Sequence, residues 1–139
     1  MADGSVEYSW VIPLRGVTLP TANSRMHYQE RARITKDIRE LARVVSLSER
    51  TRHAWPRAAE PRLCSILLIR AGRQQLLDVD NAYGACKALL DGIVGAAMLV
   101  DDEDRWLTSY RVRQDRGGEP AVEVTVTVPP CTASPTLTW

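Results

Sequence analysis

Hydrophobic and polar positions recur along this chain with two periods, and those periods lay out its elements. Residues 6–14 (VEYSWVIPL) read as a first strand, with Pro13 marking an edge position or an early end. A loop containing Pro20, Thr21 and Asn23 follows. Over residues 26–47, Ile34, Ile38, Leu41 and Val45 fall at i, i+4, i+7 and i+11, the stripe of an amphipathic helix with Arg31, Arg39 and Arg43 on its other sides. Residues 48–61, with Ser48, Pro56 and Pro61, read as a connecting loop. Residues 62–70 (RLCSILLIR) form a short, β-branched, nearly continuous apolar run, the pattern of a central strand.

A second helix is capped by Asp80 or Asn81 and carries the stripe Ala82, Cys86, Leu89, Leu90, Ile93 and Ala97. Gly84, Gly92 and Gly95 each weaken it by roughly 1 kcal/mol relative to alanine. Residues 106–113 and 121–128 alternate apolar and polar residues on either side of Arg116-Gly117-Gly118. Val122, Val124, Val126 and Val128 keep strict period two, so the pair reads as an antiparallel hairpin with one buried face. The expected architecture is α+β: a small mixed β-sheet packed against two main helices, with a C-terminal β-hairpin. One domain spans residues 1–128, and residues 129–139, opening on Pro129-Pro130, read as a flexible tail.

Composition narrows the class. A chain of 139 residues with 45% hydrophobic and 25% charged residues suits one folded domain and excludes a disordered or collagenous chain. The longest uncharged apolar run, residues 92–100, is about half of what a membrane helix needs, so no membrane partner is expected. No basic segment followed by an apolar one opens the chain. Cys64, Cys86 and Cys131 are odd in number, widely spaced and without zinc spacing, which fits a reducing cytoplasm. His27 and His53 are too few for a His-rich metal site.

The formal net charge of +1 at first argues against a nucleic-acid partner. Resolved along the chain, it is a cancellation. Residues 25–62 carry nine Arg and Lys36 against five acids, for +5, whereas residues 78–104 carry seven acids against Lys87, for −6. Sixteen of the 18 basic residues are arginine, whose planar fork of donors suits phosphate oxygens. The same block also reads as a solvated helix face.

The acidic block is the more informative of the two. In an extended segment Asp78 and Asp80 point to one side and can converge on one point. Asp101-Asp102 follow an apolar stretch that can fold back beside them, and three or four converging carboxylates describe a site for one or two Mg²⁺ ions. Lys87 and Asp91 sit at i and i+4, on a stripe with Asp80 and away from Cys86, Leu89 and Ile93. A lone cation there could orient a water or stabilise charge on a phosphoryl oxygen. The plainer alternatives are a turn and N-cap at Asp78-Asp80, an exposed helical ion pair at Lys87-Asp91, and a solvated acidic turn at residues 101–104.

Together these residues, DVDNAYGACKALLDGIVGAAMLVDDED, resemble the RusA family of Holliday-junction resolvases, small endonucleases encoded largely by phages and prophages. The family pattern is D-x-D-N, then K-x-x-x-D on the next helix, then Asp-Asp after an apolar stretch. Here these are Asp78, Asp80 and Asn81, then Lys87 to Asp91, then Asp101-Asp102. Many members have the lysine three residues after the asparagine; here it is six after, with Gly84 in the earlier place, a longer spacing that resembles a family variant. Pro20-Thr21-Ala22-Asn23-Ser24-Arg25-Met26-His27 is similar to the family's loop before a basic helix.

The resemblance implies a homodimer that cuts four-way DNA junctions by paired symmetric nicks, in recombination and repair. Mg²⁺, or Mn²⁺ in its place, would be held by Asp78, Asp80, Asp101 and Asp102, with Lys87 assisting near the scissile phosphate. Asn23, Arg25, Arg31, Arg33, Arg39 and Arg73 would contact DNA, and no small-molecule organic cofactor is implied. Met98, Leu99 and the hairpin are candidate dimer surfaces, although each reads more simply as core. A junction-binding protein that does not cut, or another Mg²⁺-dependent phosphodiesterase acting on branched nucleic acid, are the alternative functions. No Gly-rich phosphate loop supports a nucleotide hydrolase.

Overall fold

The computed structural model describes residues 4–17, 19, 27–72 and 76–130. Residues 131–139 of the expected tail, Cys131 among them, lie outside that range, as do Asn23, Arg25 and Arg73. Six elements follow one another: β1 (Val6–Pro13), α1 (Tyr28–Arg52), β2 (Arg62–Ala71), α2 (Val79–Gly95), β3 (Leu107–Gly117) and β4 (Ala121–Val128). Four strands form one mixed sheet and two helices pack on it, the α+β class read from the sequence.

The sheet order is β1-β4-β2-β3. Pro13 closes an edge strand, and β2 is an inner one. β4 is antiparallel to β1 and to β2, so β1 and β2 run the same way, and β3 is parallel to β2. α1 carries the chain from β1 to β2 and α2 carries it from β2 to β3. Both crossovers step in one direction across the sheet, and crossovers are almost always right-handed, so both helices cover the same face.

That face holds the core. Trp10 and Ile12, Cys64, Ile66 and Leu68, and Val122, Val124 and Val126 bury against Ile38, Ala42, Cys86, Leu89 and Ile93. The period-two alternation read from β4 is the cause: every second residue enters the core. Trp10 Nε1 donates to the buried Ser46 hydroxyl at 2.9 Å, tying β1 to α1. The helices meet where Gly92 presses on α1; a Cβ at Gly92 would stand 2.5 Å from the Arg39 carbonyl oxygen and 2.6 Å from Ala42 Cβ.

Three expectations change. The first helix does not end at residue 47 but runs to Arg52, where Ser48 fails to break it. Arg50 and Arg52 complement the negative end of the helix there, and Arg52 pairs with Glu49 at 2.8 Å. Ala54, in the left-handed region at φ 55°, then turns the chain away.

The second change is that β3 extends to Gly117, so Arg116-Gly117 lie in the strand and the reversal falls at residues 118–120. The third is topological: β3 and β4 do not pair with each other, because β2 lies between them. Ala71 pairs with Gly117 on one side while Ile69 pairs with Ala121 on the other. The link therefore crosses the end of β2, spanning two strand spacings, roughly 9.5 Å. A three-residue link reaches that far at about 3.3 Å per residue, and an apolar β2 gains more by lying inside the sheet than at its edge.

Candidate functional site

The acidic residues are arranged along α2 and the loop that follows it. Asp78, rather than Asp80 or Asn81, is the N-cap of α2. Its Oδ1 accepts from the Asn81 backbone N–H at 2.8 Å, and its Oδ2 accepts from the Asn81 side-chain amide at 3.2 Å. The Asp-x-x-Asn spacing carries that signal in the sequence. Asp80 stands exposed in the first turn, at the positive end of the helix dipole.

The approach to Asp78 is clamped by Gln114 of β3. Its side-chain amide donates to the Leu77 carbonyl at 2.6 Å, and its side-chain oxygen accepts from the Leu77 N–H at 2.8 Å. Tyr83 fastens the next turn to β3 by accepting the Val112 N–H at 3.1 Å. Neither residue was legible as part of the site. Gln114 gives one local hint, a polar residue in phase with Tyr110 and Val112 on the helix-covered side of β3.

Two turns beyond Asp80, Lys87 Nζ donates to Asp91 Oδ1 at 3.0 Å and to Asp102 Oδ2 at 2.7 Å. The second bond closes a loop of 15 residues, so the chain after α2 folds back along the helix. Met98 and Leu99 anchor that return in the core at 0% and 1% exposure, which settles them as core residues. Two arginines of the basic block hold its backbone: Arg50 Nε donates to the Ala96 carbonyl at 3.0 Å, and the buried Arg62 donates through Nη1 to the Met98 carbonyl at 3.0 Å. Arg62 is itself neutralised by Glu60 at 2.8 Å. Part of the positive block thus builds the acidic loop. At its tip, Asp101 Oδ1 accepts the Asp102 N–H at 2.8 Å.

The hydrogen bond from Lys87 holds the Asp102 carboxyl below the ordinary aspartate value, and that bond with Asp102 raises the Lys87 ammonium above its own. Asp102 therefore adds stability above the ordinary carboxylate range, lost as pH falls through its lowered value. Lys87 adds stability below the ordinary lysine range, lost as pH rises through its raised value. Both groups are solvent-facing, so screening keeps the contribution small. Lys87→Met is expected to return Asp102 toward the ordinary value, read as an upward shift of its carboxyl titration by NMR. An unmoved titration would mean that Lys87 does not hold Asp102 in solution.

Asp78-Asp80 and Asp101-Asp102 thus form two pairs at different levels of α2. Asp80 and Lys87 are seven residues apart, about 10.5 Å along a helix axis. Among the described residues, no group of three or more His, Cys, Asp or Glu is gathered closely enough to hold a metal ion. Gly84 lies between the levels, and a Cβ there would meet nothing within 4 Å, so the strip of α2 between Asp80 and Lys87 is bare. The donor chemistry still suits Mg²⁺. All four side chains are hard oxygen donors, and Mg²⁺ usually takes one or two carboxylates and completes its shell with water and substrate phosphate. The Lys87 ammonium already occupies a cation position between Asp91 and Asp102.

No known protein family matches the chain, and no curated protein matches it.

The arginines expected to meet DNA divide. Arg33 and Arg39 are exposed on α1, and the turn that carries Arg39 abuts Gly92, next to Asp91. Arg31 is half-buried. Arg43, on the same helix but outside that expected set, is bound to Glu40 at 2.6 Å. Cys64 and Cys86 are free and buried, and burial pushes both thiols up to about 12, which leaves them inert as nucleophiles. A groove lined by Gly16, Val17, Ile34, Asp37, Ile38 and Leu41 includes none of the site acids. Among the described residues, no helix is long and apolar enough to cross a membrane.

Proposed function

We propose that the protein is a Mg²⁺-dependent, structure-specific endodeoxyribonuclease that resolves four-way DNA junctions by paired nicks, as its resemblance to the RusA family implies. The observation that carries this reading is the return of the acidic loop onto α2. It brings Asp102 to Lys87 at 2.7 Å and so joins two parts of the motif that are 15 residues apart. An exposed helical ion pair would need only Lys87 and Asp91; the third member has no such local explanation.

Within one level of α2, Asp80 beside Asp78, or Asp101 beside Asp102, would give Mg²⁺ the one or two carboxylates it usually takes, with water and substrate phosphate completing its shell. Held there, the ion would supply an activated water and offset charge on the scissile phosphate. The other roles fall to the chain's own groups. Lys87 presents an ammonium with 59% of its side chain exposed, free to donate to a non-bridging phosphate oxygen while Asp91 holds it in position. The bare strip at Gly84 gives the backbone of a DNA strand room to approach between Asp80 and Lys87. Arg33 and Arg39, exposed on α1, would grip phosphates, a contact that weakens steeply with salt. Two copies about a two-fold axis would present two such sites to the two equivalent strands of a junction.

Incubation of the purified protein with a labelled synthetic four-way junction and Mg²⁺ tests this directly. Symmetric nicks are the expected result. Binding without cutting in both Mg²⁺ and Mn²⁺ would overturn the nuclease in favour of a junction-binding protein. Preference for flaps or RNA would point to another phosphodiesterase.

A further inference from the structure

The arginines that this fold takes partly out of water bring an acceptor with them. Arg43 pairs with Glu40 at 2.6 Å, Arg62 pairs with Glu60 at 2.8 Å, Arg50 donates to the Ala96 carbonyl at 3.0 Å, and Arg31 is also engaged. Arg70 is the exception. It is half-buried near the end of β2, and its Nε is enclosed without a hydrogen-bond partner. No carboxylate pairs with it among the described residues. A guanidinium cannot shed its proton, so an enclosed, unanswered donor of this kind lowers stability and calls for a functional reason. Tyr110 Oη, the other enclosed atom without a partner, is neutral and far less costly.

Arg70 stands close to the Asp78–Asp80 end of α2. It follows Ile66 and Leu68 in phase, so it points to the helix-covered face. Its charge reaches Cys86 of α2, opposing the burial that raises that thiol, and a thiol is a weak acceptor. Its Cα partner on β3 is Arg116, on the same face, whose Nη1 donates to the Gly72 carbonyl at 3.1 Å. Gln114, about 7 Å before Arg116 along β3, holds Leu77, the residue before Asp78. Glu119, in the link across the end of β2, is exposed and forms no ion pair among the described residues. Like charges side by side on adjacent strands repel, and an anion between Arg70 and Arg116 relieves that repulsion. The carboxyl ends of parallel strands, where both lie, are also where open α/β sheets bind ligands.

We infer that Arg70 is a phosphate-binding residue, which with Arg116 receives a DNA backbone phosphate beside Asp78 and Asp80. The planar fork of a guanidinium suits two phosphate oxygens. An unanswered guanidinium by itself asks only for an oxyanion; the choice of DNA rests on the function proposed above. A group kept for a ligand lowers stability in the ligand's absence, which separates it from a structural arginine.

Fluorescence anisotropy of a labelled four-way junction in Ca²⁺, over a range of salt concentrations, tests this on the full chain. Arg70→Met is expected to weaken binding about tenfold and to lower the slope of log affinity against log salt by about 1. Arg70→Lys keeps the charge and should keep the slope. The melting temperature of Arg70→Met should rise by roughly 2–4 °C, because the enclosed donor is gone. Far-UV circular dichroism checks folding, and Arg70→Gln repeats the binding test should Arg70→Met unfold. Affinity and slope unchanged without the guanidinium would overturn the inference. If junctions are cut all the same, that result leaves the nuclease standing. A protein that binds the junction through Arg70 but cuts nothing would uphold this site and overturn the nuclease.

Discussion

Gly92→Ala is expected to lower the melting temperature by roughly 2–8 °C, and Gly92→Leu to prevent folding. The alanine Cβ would stand 2.5 Å from the Arg39 carbonyl oxygen, 2.6 Å from Ala42 Cβ and 2.8 Å from the Arg43 nitrogen. Two of these three contacts are with helix backbone, which cannot rotate aside as a side-chain end can. Separating α1 from α2 loosens the layer that covers the sheet, and overpacking of this kind costs about 1–3 kcal/mol. The better helix propensity of alanine offsets only about 1 kcal/mol of that.

Gly84→Ala is the control, since its Cβ would meet nothing within 4 Å. It should stabilise the fold by up to about 1 kcal/mol through propensity alone. Thermal denaturation followed by circular dichroism reads both variants. A Gly92→Ala protein as stable as the wild type would mean that the helices are not in backbone contact.

The second large effect concerns chemistry. Asp80→Asn is expected to abolish junction cutting, a loss on the order of a thousandfold or more, because the amide cannot replace an anionic oxygen ligand. The change leaves the fold nearly intact. Asp80 is exposed, and losing its charge in the first turn costs only about 0.5 kcal/mol of favourable interaction with the helix dipole.

Lys87→Ala should slow cutting by about a hundredfold, the scale seen when one preorganised donor to a developing charge is removed. Junction affinity should stay near normal, because on the proposed reading the exposed arginines of α1 would carry the phosphate contacts. Nicking of a labelled junction in Mg²⁺, with gel-shift titration in Ca²⁺, separates the two effects. If Lys87→Ala cuts at the wild-type rate, its bonds to Asp91 and Asp102 are surface ion pairs worth a few tenths of a kcal/mol.

Much of this molecule is written in local pattern. The stripe Ile34, Ile38, Leu41 and Val45 marks α1, and the alternation of Val122, Val124 and Val126 marks β4. Each depends only on the rise and twist of its own backbone. The Lys87–Asp91 bond is equally local, one helical turn, and forms at 3.0 Å as its spacing requires. Ser48 misled because serine is a helix breaker only where its hydroxyl competes for backbone; inside α1 the basic last turn and the Glu49–Arg52 pair carry the helix past it. Asp80 and Asn81 were both plausible caps, and the Asp78 carboxylate took the role by reaching the N–H three residues on.

The pairing of the strands was not local in this sense. Arg116-Gly117-Gly118 reads as a hairpin turn, yet three residues can bridge one strand spacing or two. The choice belonged to β2, whose outward Leu63, Leu67 and Ile69 and inward Cys64, Ile66 and Leu68 make the inside of the sheet its favoured place. The basic block likewise split by tertiary context. Arg62 at 1% exposure and Arg50 bind loop carbonyls, while Arg33 and Arg39 face solvent.

The sequence by itself therefore determined which segments are helices and strands, which residues face inward, and where carboxylates and a lysine share a helix. Backbone geometry repeats every two or 3.6 residues whatever surrounds it. Only the tertiary structure decided that β4 enters between β1 and β2, that Asp102 returns to Lys87, and that both helices share one face of the sheet. Those outcomes join residues far apart in the chain, and they are chosen by the burial gained when the whole core closes.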